Sequence, residues 1–373
     1  MAHAKTADAP VAIVGAGVVG AAVAFALARR GVGAVLLEAE PEPGLAASGT
    51  NSGILHTGFD SAPGELETRL ILRSGELRDA VLDELGIPVM RCGAVMATDG
   101  ETATAMARAA ESNGVEARVD PEGRLEIPGE AVTDPVAYTL SLAATADVRT
   151  DSRVEAVERR DGLIHLGLAD GAHVSCHVAV NCAGLHADDV ARLAGDESFE
   201  IYPRRGEFFV FDPPDGRPLD RILLPVPTKR TKGVLVFPTI DGKLVAGPTA
   251  HDGVDKRDWS VRPEAREEVL SKARAMLPAL EDAEPVASYA GLRPAGRDTN
   301  YAIGPSRPCP GLINVAAIRS TGLSASLGIA DHVLGLIEEQ GVELGPERAV
   351  DGGAVHTEGP WWLRTARHRG VAV

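Results

Sequence analysis

Three glycines and one acidic residue near the start of the chain could bind a dinucleotide. Gly15, Gly17 and Gly20 follow a short apolar run, and Glu38 ends a second apolar run at residues 34–37. In a strand–turn–helix unit, such glycines allow the tight turn, the approach of a pyrophosphate to the backbone, and close packing of helix on strand. The free N–H groups at the helix start attract phosphate, and a carboxylate about 20 residues later can bind a ribose hydroxyl. The spacing therefore predicts a dinucleotide site.

The composition limits the partners that the protein can bind. The chain has 373 residues and a formal net charge of −16. This charge argues against nucleic acid or an anionic membrane as a partner for the whole surface, so an anionic small molecule would need a local positive site. No apolar run reaches the length of a transmembrane span and no secretory signal is visible, whereas peripheral membrane contact stays open.

Four cysteines are spread through the chain, at positions 92, 176, 182 and 309. None of them forms a C-x-x-C pair, so the sequence predicts neither a metal site nor a redox-active disulfide. Few, scattered cysteines are typical of proteins in a reducing compartment. We therefore expect a cytoplasmic protein without a bound metal.

The elements that must position the dinucleotide site alternate with β-rich segments. The sequence predicts an amphipathic helix over 66–85, a hairpin over 151–171, and a strand over 313–318 followed by a long apolar helix. Short strands between 203 and 248 indicate a second, β-rich unit. The expected fold class is mixed α/β, with a discontinuous Rossmann-like cofactor domain (1–88, 150–200 and 286–345), an inserted substrate or cap domain (89–149 and 201–285) and a C-terminal tail (346–373).

Four segments together make the chain similar to a known family. They are the glycine fingerprint, the strand-to-turn segment 178–184, the tetrapeptide Gly291-Leu-Arg-Pro294, and Ser320-Thr-Gly-Leu before the last long helix. In this order they resemble the FAD-dependent oxidoreductases of the D-amino-acid-oxidase superfamily, over residues 11–340. The resemblance implies FAD as the cofactor, bound by Gly15, Gly17, Gly20, Glu38, Ser48, Asn51, Ser52, Val154, Ala183, Gly184, Gly322, Leu323 and Ser324.

The resemblance also implies how the cofactor is attached and where its ring lies. Relatives with a covalent histidyl link carry histidine near the position of Ser52, so we expect noncovalent FAD. The loop at Gly322 is expected beside the flavin ring, where a helix N-terminus would stabilise the negative charge that develops near N1 on reduction.

Two branches of the superfamily match different parts of the chain. Residues 51–58 resemble L-2-hydroxyglutarate oxidases and dehydrogenases, whereas residues 233–249 and 311–323 resemble anaerobic-type glycerol-3-phosphate dehydrogenases. Asp60 lies where several glycerol-phosphate enzymes carry an arginine, and an inward-pointing carboxylate would repel phosphate. We therefore expect oxidation of the CH–OH group of a small anionic 2-hydroxyacid, such as L-2-hydroxyglutarate, by hydride transfer to flavin N5.

Three other functions stay open from the sequence. A glycerol-3-phosphate dehydrogenase-like enzyme would use the same chemistry on a phosphorylated alcohol. An amine or amino-acid oxidase of the same superfamily would oxidise a C–N bond, and a non-catalytic flavoprotein subunit would act only with partners. The expected electron acceptor is oxygen, a quinone or a partner protein.

The resemblance assigns the reacting end of the site to a few residues. His56 lies in the loop expected over the flavin, and a histidine that is neutral near pH 7 could take the hydroxyl proton as a base. Arg293 has a planar fork that suits a carboxylate or a phosphate, so we expect it to hold the anionic group. Lys232 and Arg205 are lesser candidates for substrate binding.

Overall fold

The computed structural model describes residues 7–227, 233–350 and 352–371. The helices are α1 (Val18–Arg29), α2 (Leu66–Leu85), α3 (Gly100–Ser112), α4 (Pro135–Ala143), α5 (Ala187–Leu193), α6 (Pro263–Met276), α7 (Gly322–Glu339) and α8 (Trp361–His368). The strands are β1 (Ala9–Val14), β2 (Ala34–Leu37), β3 (Ile54–Leu55), β4 (Val89–Met90), β5 (Ala94–Met96), β6 (Arg118–Val119), β7 (Leu125–Ile127), β8 (Ala131–Thr133), β9 (Asp147–Arg149), β10 (Val154–Arg160), β11 (Leu163–Leu168), β12 (His173–Asn181), β13 (Ile201–Phe211), β14 (Ile222–Leu224), β15 (Leu235–Pro238), β16 (Leu244–Gly247), β17 (His251–Asp252), β18 (Ala287–Gly296), β19 (Ala302–Pro305) and β20 (Leu312–Ala316).

The first sheet contains the glycine fingerprint. Its strands run in the order β10-β11-β12-β1-β2-β9, and β20 pairs with β12 in parallel. Strands β12, β1, β2 and β9 are parallel, and the inner ones are apolar because helices and strands cover both of their faces. Helices α1, α2 and α7 pack together in the same core. The expected Rossmann-like, mixed α/β fold is confirmed, as is the hairpin β10–β11.

The second sheet runs in the order β17-β13-β16-β15-β14-β5-β7-β6, and β18 pairs with β13. Strands β13 and β18 are antiparallel in continuous register from Ile201 opposite Gly296 to Val210 opposite Ala287. One face of this sheet carries stacked aromatic side chains, with the rings of Phe208 and Tyr289 4.8 Å apart. A third, small sheet, β3-β8-β4, contains the strand that precedes His56.

Two of the predicted domain segments each contain a strand that pairs with the sheet of the other predicted domain. Segment 89–149, predicted in the substrate domain, contains β9, which pairs with β2 of the first sheet. Segment 286–345, predicted in the cofactor domain, contains β18, which pairs with β13 of the second sheet. Strand pairing between residues far apart in sequence decides these memberships, and composition does not reveal it. The domain assignment itself stays a prediction.

The tail 346–373 contains the short helix α8, which the sequence reasoning did not predict. The side chains of Trp361 and Trp362 are buried in the core of the second sheet. Farther along, the Arg364 guanidinium donates to the carbonyl oxygen of Pro43 at 3.0 Å and forms an ion pair with Glu42. The helix therefore connects the second sheet to the loop that follows β2. Across the described residues, no helix is long and apolar enough to cross a membrane.

Candidate active site

A cavity of about 550 Å³ lies between the two large sheets. Its walls come from the start of α1, the loop at 47–56, the start of α7 and the strand β18. Phe208, Leu235 and Phe237 of the second sheet supply apolar surface. Of the predicted site residues, those on the cavity wall are Gly17, Ser48, Asn51, Ser52, His56, Gly184, Arg293, Gly322 and Leu323.

The glycine fingerprint forms a narrow turn at one end of this cavity. Gly15 has a φ of +101°, and a Cβ there would lie 2.5 Å from the carbonyl oxygen of Cys182. A Cβ at Gly20 would clash with the carbonyl oxygen of Gly15. At the start of α1, the Val18 N–H donates to the Ser48 hydroxyl oxygen at 2.9 Å. The Val18 N–H is thus already paired, but the absence of a side chain at Gly17 lets a pyrophosphate approach the backbone at the helix start.

His56 is held between two elements at the opposite end of the cavity. Its backbone N–H donates to the hydroxyl oxygen of Ser324 on α7 at 2.8 Å. Its ring Nδ1 lies 2.8 Å from Oε2 of Glu130, a fully buried carboxylate. Glu130 was not predicted: it is distant in sequence, in a turn between β7 and β8 that carries no motif.

Arg293 presents a buried guanidinium to the cavity. Its Nε donates to the carbonyl oxygen of Arg204, and its Nη2 donates to those of Arg205 and Thr249, at 3.2, 3.0 and 2.6 Å. Burial lowers the pKa of Arg293 to about 10, and the positive charges of Arg204 and Arg319 act in the same direction. Among the described residues, Arg293 forms no ion pair. A charged group in this setting is stabilised by an anionic ligand.

The family model for FAD-dependent oxidoreductases of the DAO type matches residues 10–336. This chain belongs to the DAO family. It is 30% identical to a glycerol 3-phosphate dehydrogenase from Caloramator mitchellensis over 353 residues, covering 88% of this chain and 73% of the relative. It is 26% identical to a mitochondrial L-2-hydroxyglutarate dehydrogenase from Arabidopsis thaliana over 396 residues, covering 86% and 82%.

The fold is similar to that of a solved relative with its cofactor. The FAD-bound, dithionite-reduced L-α-glycerophosphate oxidase from Mycoplasma pneumoniae aligns with a TM-score of 0.84 at 24% identity, over 91% of this chain and 96% of that one. The family model that matches this chain describes FAD-dependent oxidoreductases, so FAD is its cofactor. The open glycine turn and the cavity fit such a group.

Glu38, Val154 and Ala183, which are expected at the adenosine end of FAD, do not line the cavity. Glu38 follows β2, and its carboxylate accepts N–H groups from Ala16 at 2.8 Å and Glu40 at 3.0 Å. Burial raises the pKa of Glu38, although these two hydrogen bonds oppose the shift. Each carboxylate oxygen keeps a lone pair for a ribose hydroxyl. Val154 is buried at the start of β10, and Ala183 precedes Gly184 at the end of the β12 turn.

The loop at 51–56 and the start of α7 form the wall expected at the flavin end. The side chains of Asn51 and Ser52 accept N–H groups from Gly53 at 2.9 Å and Ile54 at 3.3 Å, which holds the loop in shape. No described side chain caps the first N–H groups of α7, and the Thr321 hydroxyl donates to Glu67 at 2.6 Å. Those N–H groups are thus available to a ligand. Ser324 lies behind the wall and contacts the loop rather than the cavity.

Of the cationic residues predicted to bind the substrate, the structure brings Arg293 but not Arg205 to the cavity wall. Arg205 does not line the cavity and forms an ion pair with Asp258. Arg204, its neighbour on β13, lines the cavity because it lies opposite Arg293 in the β13–β18 register. Alternate residues of a strand face opposite sides, so only one member of this arginine pair can point inward. Lys232 lies outside the described residues.

Proposed function

We propose that this DAO-family enzyme oxidises the secondary alcohol of a small phosphorylated substrate of the glycerol 3-phosphate type. The observation that carries the proposal is the guanidinium of Arg293, which is buried at the cavity without an ion-pair partner among the described residues. Arg204 and Arg319 line the same cavity. Arg204 also forms an ion pair with Asp252 at 3.3 Å, so Arg293 and Arg319 are the groups that best suit a dianion such as a phosphate monoester.

The relatives favour a phosphorylated alcohol over the hydroxyacid expected from the loop at 51–58. The similar Caloramator protein is named a glycerol 3-phosphate dehydrogenase and shares 30% of aligned residues, whereas the Arabidopsis L-2-hydroxyglutarate dehydrogenase shares 26%. We therefore place a phosphorylated alcohol before L-2-hydroxyglutarate, which is the reverse of the expectation from the sequence. The shared chemistry, oxidation of CH–OH on a small anion, is the same for both.

In the proposed reaction, His56 takes the hydroxyl proton at Nε2, the ring nitrogen opposite Glu130. Arg293 holds the anionic group and thereby orients the alcohol, a contribution of binding to catalysis through position. Phe208 and Phe237 line the same cavity and give it apolar surface. Bound FAD supplies the two-electron acceptor for the hydrogen of the carbinol carbon.

A second candidate, L-2-hydroxyglutarate, is favoured by one feature of the cavity wall. Asp60 lies on that wall, and its carboxylate would repel a phosphate group, which carries two negative charges at one place. A dicarboxylate spreads its two charges over separate groups, which Arg293 and a more distant arginine could hold. The loop at 51–58, similar to that of L-2-hydroxyglutarate enzymes, points the same way.

Anaerobic reduction of the purified holoenzyme tests the proposal. The enzyme is mixed separately with sn-glycerol 3-phosphate, its enantiomer, L-2-hydroxyglutarate and a panel of amino acids, and flavin absorbance is followed. We expect rapid bleaching by glycerol 3-phosphate. Bleaching by L-2-hydroxyglutarate alone would establish the second candidate, and bleaching only by amino acids would refute both. Readmitting oxygen or adding a quinone to the reduced enzyme then identifies the electron acceptor.

A further inference from the structure

Glu130 is a buried carboxylate that the sequence reasoning did not use. Its Oε2 lies 2.8 Å from Nδ1 of His56. Its Oε1 accepts the backbone N–H of Thr57 at 2.7 Å and the Thr57 hydroxyl at 2.9 Å. The side chain is fully shielded from solvent. Burying a carboxylate is costly unless donors surround it, and these groups of the 56–57 loop supply them.

The backbone next to Glu130 lies close to the 56–57 loop and is held in place by a hydrogen bond. A Cβ at the preceding residue, Gly129, would lie only 2.9 Å from the Cγ2 atom of Thr57. The carbonyl oxygen of Glu130 accepts the N–H of Gly93 at 2.8 Å, which anchors the turn to the second sheet. The turn therefore brings a rigidly held acceptor to the imidazole.

We infer that Glu130 is a positioning residue that keeps the proton of His56 on Nδ1. A backbone N–H can only donate, so Oε1 must act as an acceptor toward Thr57. With the Glu130 carboxylate ionised, Oε2 has no proton to give, so Nδ1 donates to Oε2. The lone pair of the imidazole then lies on Nε2, which has no hydrogen-bond partner among the described residues, and His56 lines the cavity.

This arrangement prepares His56 for the reaction, and its kinetic consequence rests on the proposed function. The substrate O–H bond breaks and its proton moves to Nε2. The C–H electron pair leaves with the hydrogen as hydride to FAD, and the C–O bond becomes C=O. The imidazole becomes an imidazolium, whose charge the Glu130 carboxylate stabilises at 2.8 Å. Two electrons leave the substrate and one proton remains on His56.

The variant Glu130→Gln tests the inference sharply, because an amide has one acceptor and one donor end. The Thr57 N–H requires the amide oxygen on its side, so the NH₂ group faces Nδ1. Nδ1 must then accept, and the proton moves to Nε2, where it blocks base catalysis. Holding the imidazole in the wrong tautomer costs about 10²–10⁴-fold in rate. We expect the rate constant of flavin reduction to fall by that factor while the substrate Kd changes little.

The tautomer itself is measured without substrate. In protein labelled with ¹⁵N-histidine, long-range ¹H–¹⁵N correlation spectra distinguish Nδ1–H from Nε2–H, and the His56→Gln variant assigns the signal. We expect Nδ1–H in the wild type and Nε2–H in Glu130→Gln. An Nε2–H signal in the wild type overturns the inference even if no alcohol reduces the flavin, so this failure is separate from a failure of the proposed function. The wild-type spectrum alone tests the inference if the Glu130→Gln variant does not fold.

Two controls separate positioning from a general loss of structure. Glu126→Gln removes a carboxylate from the adjacent strand β7, where it pairs with Arg118 at the surface, and we expect unchanged reduction. In the His56→Gln background, adding Glu130→Gln should cost no further rate, because Glu130 acts through His56. A further loss of about tenfold or more in the double variant, equivalent to about 1.4 kcal/mol, contradicts the inference.

Discussion

Replacing Arg293 with lysine keeps the positive charge and removes the planar fork. In the structure the guanidinium donates three hydrogen bonds to backbone carbonyl oxygens, those of Arg204, Arg205 and Thr249. Its remaining N–H groups are free for a ligand in the cavity. The wild-type side chain can therefore pair with the backbone and hold an anionic ligand at the same time.

A lysine ammonium has three donors in all, so it cannot serve both. If it replaces the three backbone bonds, it has none for the substrate, and if it turns to the substrate, buried carbonyl groups lose their donors. At least one hydrogen bond to a charged group is lost, which costs about 1.5–3 kcal/mol. The substrate Kd of Arg293→Lys should therefore rise by about 10- to 150-fold.

The assay is anaerobic rapid mixing of the holoenzyme with glycerol 3-phosphate at increasing concentration. The concentration dependence of flavin reduction yields the substrate Kd, and the plateau yields the rate constant, which we expect within about fivefold of wild type because the charge remains. Arg297→Lys is the matched control, since Arg297 lies just beyond the same strand and pairs with Glu200 at the surface. A Kd for Arg293→Lys within a factor of about two of wild type would refute the argument from fork geometry.

Three further predictions follow from individual contacts. His56→Ala should slow flavin reduction by about 10²–10⁴-fold with FAD retained, as measured by rapid mixing and by the flavin-to-protein absorbance ratio. Glu207→Gln should lower the free energy of unfolding by about 3 kcal/mol near neutral pH, because the buried carboxylate pairs with Arg262 at 2.7 Å. Arg364→Ala should weaken FAD binding about fivefold, equivalent to about 1 kcal/mol, since its bond to the Pro43 carbonyl oxygen holds the loop after β2. Arg367→Ala, an exposed change on the same helix, should leave FAD binding unchanged.

The pH dependence of the Glu207 effect has a definite sign. Burial alone would raise the pKa of Glu207, but hydrogen bonds from Arg262 and Thr249 outweigh it and lower the pKa below its ordinary value of 4.5. A depressed carboxyl pKa stabilises the fold above the unfolded pKa, and this stability is lost as pH falls through the folded pKa. In urea titrations, the difference between wild type and Glu207→Gln should therefore shrink as pH falls below 4.5. A difference that grows with acidification would contradict the assignment.

Much of the cofactor end could be predicted because its signals are local. The turn at Gly15, Gly17 and Gly20, the acid after β2, and the long helix α7 each depend on residues within one or two elements. Backbone conformation and helix packing restrict residue type at such positions whatever the rest of the chain does. Arg293 could also be proposed as the anion-binding residue from its tetrapeptide, and the structure brings it to the cavity wall.

Other features depend on contacts between distant segments, which no local pattern encodes. The partner of His56 is Glu130, 74 residues further along, in a turn without a motif. Helix α8 was missed because its stability comes from two tryptophans buried under the second sheet rather than from a long periodic pattern.

The sequence by itself determined the family and the cofactor, and it predicted residues for the two ends of the site. Only the tertiary structure decided that Arg204 rather than Arg205 faces the cavity beside Arg293. The physical reason is strand register: a shift of one residue between β13 and β18 would exchange the two arginines, and pairing along the whole length of these strands sets that register. The sequence thus supplies both arginines, but which of them faces the cavity depends on the pairing of the folded sheet.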